Sequence, residues 1–232
     1  LDANTSQELL EKIAATCTTP IAFDAVSISK VARCANILDK LFIFKPNLYE
    51  AAALYEALNG RDVALNNPDD ALNGRDDPDY TPSDKTGSDP DSDGIAADKT
   101  SSDGDPPDSS AGHPADLSSR VRCQACLYAA FLRSRGVKNV MISLGKDGVY
   151  YENEDYSGIM PSMVRDIANT SGCGDAFLAG AVRGYLDNGS LEAMARYGSA
   201  ASAICAAHDE TVSPELDITK INEILKEHEH PV

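Results

Sequence analysis

Three things are scarce in this chain, and each scarcity excludes a class of function. Basic charge comes first: 20 Lys and Arg face 37 Asp and Glu over 232 residues, for a net charge of −17. A surface that meets nucleic-acid phosphates needs clustered Lys and Arg, so we expect no nucleic acid among the partners. Long apolar runs come second. None approaches the ~18 residues that cross a bilayer, and no signal peptide pattern is visible, so no membrane partner is expected. Cysteine is third. Six residues are too sparse for a disulfide scaffold in a chain this long, which points to reduced thiols and a cytoplasmic protein. The apolar share, 42%, is close to the ~45–50% of globular chains, so a core can be buried.

The acidity is unevenly spread. Residues 61–116 hold 15 Asp, no Glu and 4 Lys and Arg, with almost no large apolar side chain. Such a stretch cannot bury enough surface to offset its ordering entropy. It also echoes itself. Ala-Leu-Asn-Gly-Arg-Asp begins at Ala57 and again at Ala71, and Lys85 and Lys99 open two near-copies of one pentapeptide. The EF-hand spacing with its closing Glu is missing, which excludes that kind of calcium loop. We read residues 61–116 as an acidic low-complexity insertion, disordered, between two parts of one core at 1–60 and 117–232.

The flanks read as α/β. Helical spacing covers 7–15, with Leu10, Ile13 and Ala14 on one face, and Pro20 stops it. Residues 21–23 form a short strand ending at Asp24, and 29–38 a second helix. The run Leu41-Phe42-Ile43-Phe44 is wholly apolar, as in a buried parallel strand. A helix follows over 47–58, closed by Asn59-Gly60. Beyond the insertion come a helix over 117–135, a buried strand over 140–143, a turn at 145–148 and a returning strand over 149–151. Helices are expected over 175–186, over the Ala-rich 191–207, and near the end through Ile218, Ile221, Ile224 and Leu225. Strands alternating with helices predict a mainly parallel sheet with helices on both faces.

The most informative stretch is Asn169-Thr-Ser-Gly-Cys-Gly-Asp-Ala-Phe-Leu-Ala-Gly180. A Gly-x-Gly turn running straight into a helix aims backbone N–H groups at one point, and the helix dipole adds partial positive charge there. Gly172, Cys173 and Gly174 are therefore candidate anion-binding amides. A carboxylate at Asp175 makes chemical sense as a base beside a phosphate, taking a proton from an attacking hydroxyl. The plainer reading is an Asp that caps the helix beside turn glycines.

This stretch resembles the C-terminal signature of the ribokinase-like (PfkB) kinase family, in which a Gly-Ala-Gly-Asp turn forms the anion hole and its Asp is the catalytic base. Other pieces match in order. Lys45-Pro46-Asn47-Leu48-Tyr49-Glu50 resembles the family's Asn-x-x-Glu motif, associated with magnesium and phosphate positioning. Ser143-Leu144-Gly145-Lys146-Asp147-Gly148 resembles its nucleotide-binding strand and turn. Residues 200–214 resemble the Ala-rich helix and loop that wall the adenine pocket. The resemblance thus implies ATP and Mg2+, with Asp175, Gly172, Cys173 and Gly174 as the catalytic set. Asn47, Ser143, Gly145, Gly148, Ala200 and His208 would lie around the nucleotide, and Glu50 near the metal. The implied reaction is phosphorylation of a nucleoside or sugar hydroxyl.

Within the family the pseudouridine kinase branch is the nearest likeness, through Asp2-Ala3-Asn4 and through residues 23–30. That branch implies the 5′-hydroxyl of pseudouridine as acceptor. Ribokinase-like or fructokinase-like sugar kinases, and a non-catalytic nucleotide-binding remnant, are the alternatives. The pattern also implies an upstream half-domain with a Gly-Gly motif, a substrate-gripping Asp and a β-lid, none of which is in this sequence. We therefore expect a fragment, a truncated gene product or one part of a split enzyme; the partners expected beside the small-molecule substrate are the missing N-terminal half or, as a homodimer, a second copy.

Two positions depart from the family pattern. Cys173 stands where Ala is common, and a helix N-terminus that lowers its thiol pKa would make it sensitive to oxidation. Asn169 stands where many members carry the Asp of a monovalent-cation loop, which puts potassium activation in doubt. The remaining candidates are plainer. Cys123-x-x-Cys126 has no second pair to complete a metal site, His228 and His230 belong to an exposed tail, and Lys45 and Asp24 sit at strand ends where ligands bind.

Overall fold

The computed structural model describes residues 1–59 and 114–229. The acidic stretch lies outside the described residues, except that its last positions open a helix. That helix starts at Pro114 rather than at Leu117.

Local sequence explains most elements. Helix α1 (Gln7–Thr16) buries Leu10 and Ala14, one turn apart, and carries Glu8 in its first turn, where the dipole favours an acid. Strand β1 (Ile21–Asp24) follows. The next stretch, Val31–Lys40, is 3₁₀ rather than the α-helix expected over 29–38. The buried residues give the reason. Val31, Cys34 and Ile37 recur every third residue, the period at which 3₁₀ side chains eclipse on one face. Strand β2 (Leu41–Lys45) and helix α2 (Leu48–Asn59) complete the first part.

After α3 (Pro114–Ser134), strand β3 (Asn139–Ser143) turns through Gly145–Asp147 into β4 (Val149–Glu152). A further strand that the sequence reading omitted, β5 (Ser157–Met160), pairs back onto β4. The turn between them is an Asx turn: Asn153 Oδ1 accepts from the Asp155 and Tyr156 N–H groups at 3.0 and 2.9 Å. Helices α4 (Cys173–Asn188), α5 (Leu191–Ala206) and α6 (Ile218–Glu229) end the chain.

The sheet order is β1-β2-β3-β4-β5. The pairs β1–β2 and β2–β3 are parallel, whereas β3–β4 and β4–β5 are antiparallel. The α/β fold is as expected, but the sheet is mixed: its parallel character belongs to the first three strands. Asp2 adds a parallel bridge on the outer side of β1, at Asp24.

Strand alternation divides the sheet between two layers. Phe23, Phe44, Val140, Ile142 and Tyr150 face α1, the 3₁₀ stretch, α2 and α3. Ile43, Met141, Val149 and Tyr151 face α4 and α5. A register shift brings Ala22 opposite Ile43 while Ile21 pairs with Leu41. Phe42 and Ile43 thereby join the same cluster, as at a β-bulge. A third cluster joins α5 to α6 and to Met163. Helices α4 and α5 approach closely because Gly180 and Gly184 face Tyr197 O and Ala193 O, where an added Cβ would lie 2.5 Å away in each case. That contact fixes the start of α4 relative to the sheet.

Candidate active site

The C-terminal ends of parallel strands are where open α/β sheets bind ligands. Here β1 ends on Asp24 and β2 on Lys45, which are register partners. Lys45 Nζ meets Asp24 Oδ2 at 2.8 Å, with 7% and 8% of the two side chains exposed. Burying either charge alone would be expensive, so each needs the other. The second Asp24 oxygen accepts the Val26 N–H at 3.0 Å. Val26 is held at φ +62°, a rare conformation for a β-branched residue. An alanine methyl at Gly174 would lie 2.8 Å from Lys45 Nζ. The Lys45 ammonium therefore sits against the N-terminus of α4.

The Asn-x-x-Glu motif is a reciprocal capping box at the start of α2. Asn47 N–H donates to Glu50 Oε2 at 2.8 Å, and Glu50 N–H donates to Asn47 Oδ1 at 2.9 Å. Glu50 is nonetheless buried, at 5% exposure. Burial raises its pKa above the usual carboxyl range, against the lowering effects of the Asn47 N–H and of Lys45; Asp24 pushes it further up. Asp24, Lys45 and Glu50 thus form one charge cluster under the start of α4.

Gly172 is the N-cap of α4, at φ +80°. A Cβ there would lie 2.1 Å from Thr211 O, so only glycine fits, on conformation and on space. The Ala176 N–H closes the first helical bond to Gly172 O at 2.9 Å. The Cys173 N–H donates within the turn, to Thr170 O at 3.3 Å. The first amides of a helix lack intrahelical partners, and among the described residues no backbone acceptor takes those of Gly174 and Asp175. The Asp175 side chain is exposed in the first turn and is not the cap. The Cys173 expectation is corrected here. Burial pushes its thiol up to about 11, helped by the neighbouring Cys205, the direction opposite to the one expected.

The nucleotide candidates do not all converge. Ser143 ends β3, donates its N–H to Pro46 O at 3.0 Å and bridges to Asn47, which joins the β3 end to the capping box. Gly145 and Gly148 have φ of +59° and +94°, and a Cβ at Gly148 would lie 2.0 Å from Met160 O. Ala200 is fully buried between α5 and α6; its side chain packs the wall and offers no surface to a ligand. His208 lines a separate cavity of about 290 Å3, together with Met163, Arg165, Ala203, Lys220 and His228. Its Nε2 lies 3.6 Å from Glu215 Oε2. None of Ser143, Gly145, Gly148 or the Gly172–Asp175 turn lines that cavity.

The Asp24–Lys45 pair is the feature that sequence reasoning weighed only as two single residues. The available signal was an acid and a base closing adjacent buried strands. The Asp2-Ala3-Asn4 and 23–30 segments also meet, since Lys30 Nζ donates to Asn4 Oδ1 at 2.8 Å. No group of three or more metal-ligating side chains occurs among the described residues. Magnesium is commonly held by one or two carboxylates plus substrate phosphates and water. Glu50 and Asp24 fit that pattern and do not form a resident cage.

Residues 124–218 match the profile of the pfkB family of carbohydrate kinases, which takes in β3, the Gly172 turn and α5. The family resemblance read from the motifs therefore holds. Pseudouridine kinase of Escherichia coli is 26% identical over 99 residues, covering 42% of this chain and 32% of that protein. The 2-dehydro-3-deoxygluconokinase of Haemophilus influenzae is 27% identical over 93 residues, covering 39% and 30%. The structure of Arabidopsis thaliana ribokinase complexed with ribose and ATP superimposes with a TM-score of 0.60 at 16% identity, covering 97% of this chain and 55% of that one. The likeness at that identity is one of fold. The chain spans about half the length of the ribokinase structure it matches.

Proposed function

We propose that this chain is the nucleotide-handling part of an ATP-dependent kinase that phosphorylates a primary hydroxyl of a nucleoside or sugar. The observation that carries the reading is the convergence of the Gly172 turn, the Lys45 ammonium and the Asp24 and Glu50 carboxyls at one end of the sheet. An anionic phosphoryl group meets amide N–H groups and a helix N-terminus there. In this reading Asp175 takes the proton of the attacking hydroxyl. The amides of Gly172, Cys173 and Gly174 stabilise charge on the phosphoryl group. The structure ranks them unequally, since the Cys173 N–H already has Thr170 O as acceptor.

Magnesium arriving with the nucleotide supplies charge neutralisation, and Glu50, Asn47 and Asp24 would hold its ligands in place. Ser143, Gly145 and Gly148 shape the nucleotide cleft, whereas Ala200 packs in the core and His208 lines a cavity apart from them. Asn169 Nδ2 donates to Asp209 O at 2.9 Å, so this loop is held by a protein donor. The finer proposal for the acceptor is the 5′-hydroxyl of pseudouridine. It is supported by the likeness to the Escherichia coli kinase and by the contact between Asn4 and Lys30. We place the protein in the cytoplasm, where ATP is at hand and its six cysteines, all free, stay reduced. No helix of the described residues is long and apolar enough to cross a membrane.

The test is ATP-dependent phosphorylation of a nucleoside and sugar panel, pseudouridine included, by the chain with magnesium, beside its Asp175→Ala variant. Product from one acceptor identifies the substrate. Asp175→Ala should then lose about 10²–10⁴-fold in turnover with ATP affinity nearly intact. ATP binding without product supports a nucleotide-handling part that needs its complement. Absence of both product and ATP binding refutes the reading.

A further inference from the structure

We propose that Asn169 is a positioning residue for the Gly172–Asp175 turn, bracing it against the loop that follows α5. The inference rests on the reading of that turn as the phosphoryl-handling element. Asn169 uses both ends of its side-chain amide. Its Oδ1 accepts the Ser171 N–H at 2.9 Å, next to the helix cap. Its Nδ2 donates to Asp209 O at 2.9 Å, on the facing loop. The backbone reinforces the link, because the Ala168 and Asn169 N–H groups both donate to Ala206 O, at 2.8 and 3.3 Å.

Cys205 closes the brace from below. Its thiol lies 3.4 Å from Thr211 O and 3.6 Å from Ser171 O, one carbonyl on each loop. Gly172 completes the contact, since a Cβ on it would lie 2.1 Å from Thr211 O. The two loops are thus in register with no room between them. The αL conformation of Gly172 sets the direction of the first α4 amides. A shift of the 207–211 loop must therefore move those amides. Asn169 ties both loops through its side-chain amide, as Cys205 does through its thiol, and it does so beside the reacting centre without touching it.

The experiment uses the full chain and two variants. Asn169→Ala removes both bonds. Asn169→Asp keeps an acceptor for the Ser171 N–H but sets a carboxylate against the Asp209 carbonyl. Amide hydrogen exchange reads the brace directly. In Asn169→Ala we expect the Ser171, Cys173 and Ala176 amides to exchange about tenfold faster or more, as a lost ~1 kcal/mol bond on each side implies, while amides of β1–β3 keep their rates. In Asn169→Asp the loop at 207–211 should loosen and Ser171 should stay protected. ATP affinity should fall about tenfold in Asn169→Ala. Unchanged exchange in the turn overturns the proposal. Equal acceleration in the turn and in β1–β3 also overturns it, because Asn169 would then act on overall stability alone. If the unmodified chain binds no ATP, the kinase reading fails, and the exchange rates still decide the brace.

Discussion

Replacing Lys45 by Met keeps most of the aliphatic stem and removes the ammonium that meets Asp24 Oδ2 at 2.8 Å. With only 8% of the Asp24 side chain exposed, water cannot take over. One carboxylate oxygen retains the Val26 N–H at 3.0 Å, and the other is left charged and unpaired. Breaking a buried pair from one side costs about 3–5 kcal/mol. With a urea slope of roughly 2 kcal/mol per M, the midpoint should fall by about 2 M. Asp24→Asn leaves an oxygen for Lys45 and should cost less, about 1–3 kcal/mol. Combining the two removes both charges and should recover a large part of the loss, a coupling of about 2 kcal/mol between contacting residues. Urea unfolding of the four proteins followed by circular dichroism measures this, and high salt should change the coupling little, because a buried pair is weakly screened. A Lys45→Met midpoint within about 0.5 M of the parent, or additive single effects, would refute the argument, since that is how solvated surface pairs behave.

Gly172→Ala pays twice, for a φ of +80° and for the approach to Thr211 O. It should destabilise by more than the ~1–3 kcal/mol of backbone strain alone and abolish nucleotide binding. Gly145→Ala, at φ +59° with open space around it, should pay only the strain; thermal unfolding of the pair checks the difference. Glu50→Gln keeps an acceptor for the Asn47 N–H and removes a carboxyl whose pKa burial has raised. A raised folded-state value means that the group favours folding at acid pH and loses that contribution as pH rises through it. The Tm of Glu50→Gln should therefore match the parent near pH 4 and exceed it toward pH 8. A constant difference across that range would count against the assignment. Alkylation at pH 8 should reach exposed Cys17 first, because Thr19 lowers its thiol pKa. Cys34, pushed to about 12 by burial, and Cys173, at about 11, should lag; mass spectrometry of the labelled peptides gives the order.

Elements whose residues carry a clear period were legible in the sequence. The wholly apolar Leu41–Phe44 run is a buried parallel strand, and helices α1, α4 and α5 lie close to their expected bounds. The failures have physical causes. Residues 31–40 mix a three-residue and a four-residue apolar spacing, so a 3₁₀ stretch reads as an ordinary helix. Strand β5, Ser-Gly-Ile-Met, is short and half-exposed, and Gly158 in it can be extended because the Tyr151 ring covers its face. That cover is tertiary. The mixed character of the sheet begins earlier, where β4 returns antiparallel to β3, and β5 extends it. At the site, the glycine turn was legible because its chemistry is local. The Asp24–Lys45 pair was not, because its partners stand 21 residues apart and become neighbours only once β1 and β2 align. Ala200 shows the reverse case. A residue inside a recognisable motif can belong wholly to the core.

The Asn-x-x-Glu motif meets two demands with one set of atoms. Its capping box satisfies two backbone donors at the start of α2 and is worth about 1 kcal/mol. A cap needs no burial to do that. Yet Glu50 is 5% exposed and lies close enough to Lys45 and Asp24 for both to shift its carboxyl. Burying an acid beside another acid works against stability, so helix capping does not account for where Glu50 sits. Perturbed, buried carboxyls beside a basic group are characteristic of sites that handle charged ligands. The buried charges gather at the end of the three parallel strands, which is also the end where α4 begins. The antiparallel hairpin β4–β5 contributes the wall on which Gly148 rests. The division within the mixed sheet thus follows its topology: the parallel part gathers the charges, and the hairpin packs against the Gly145–Gly148 turn.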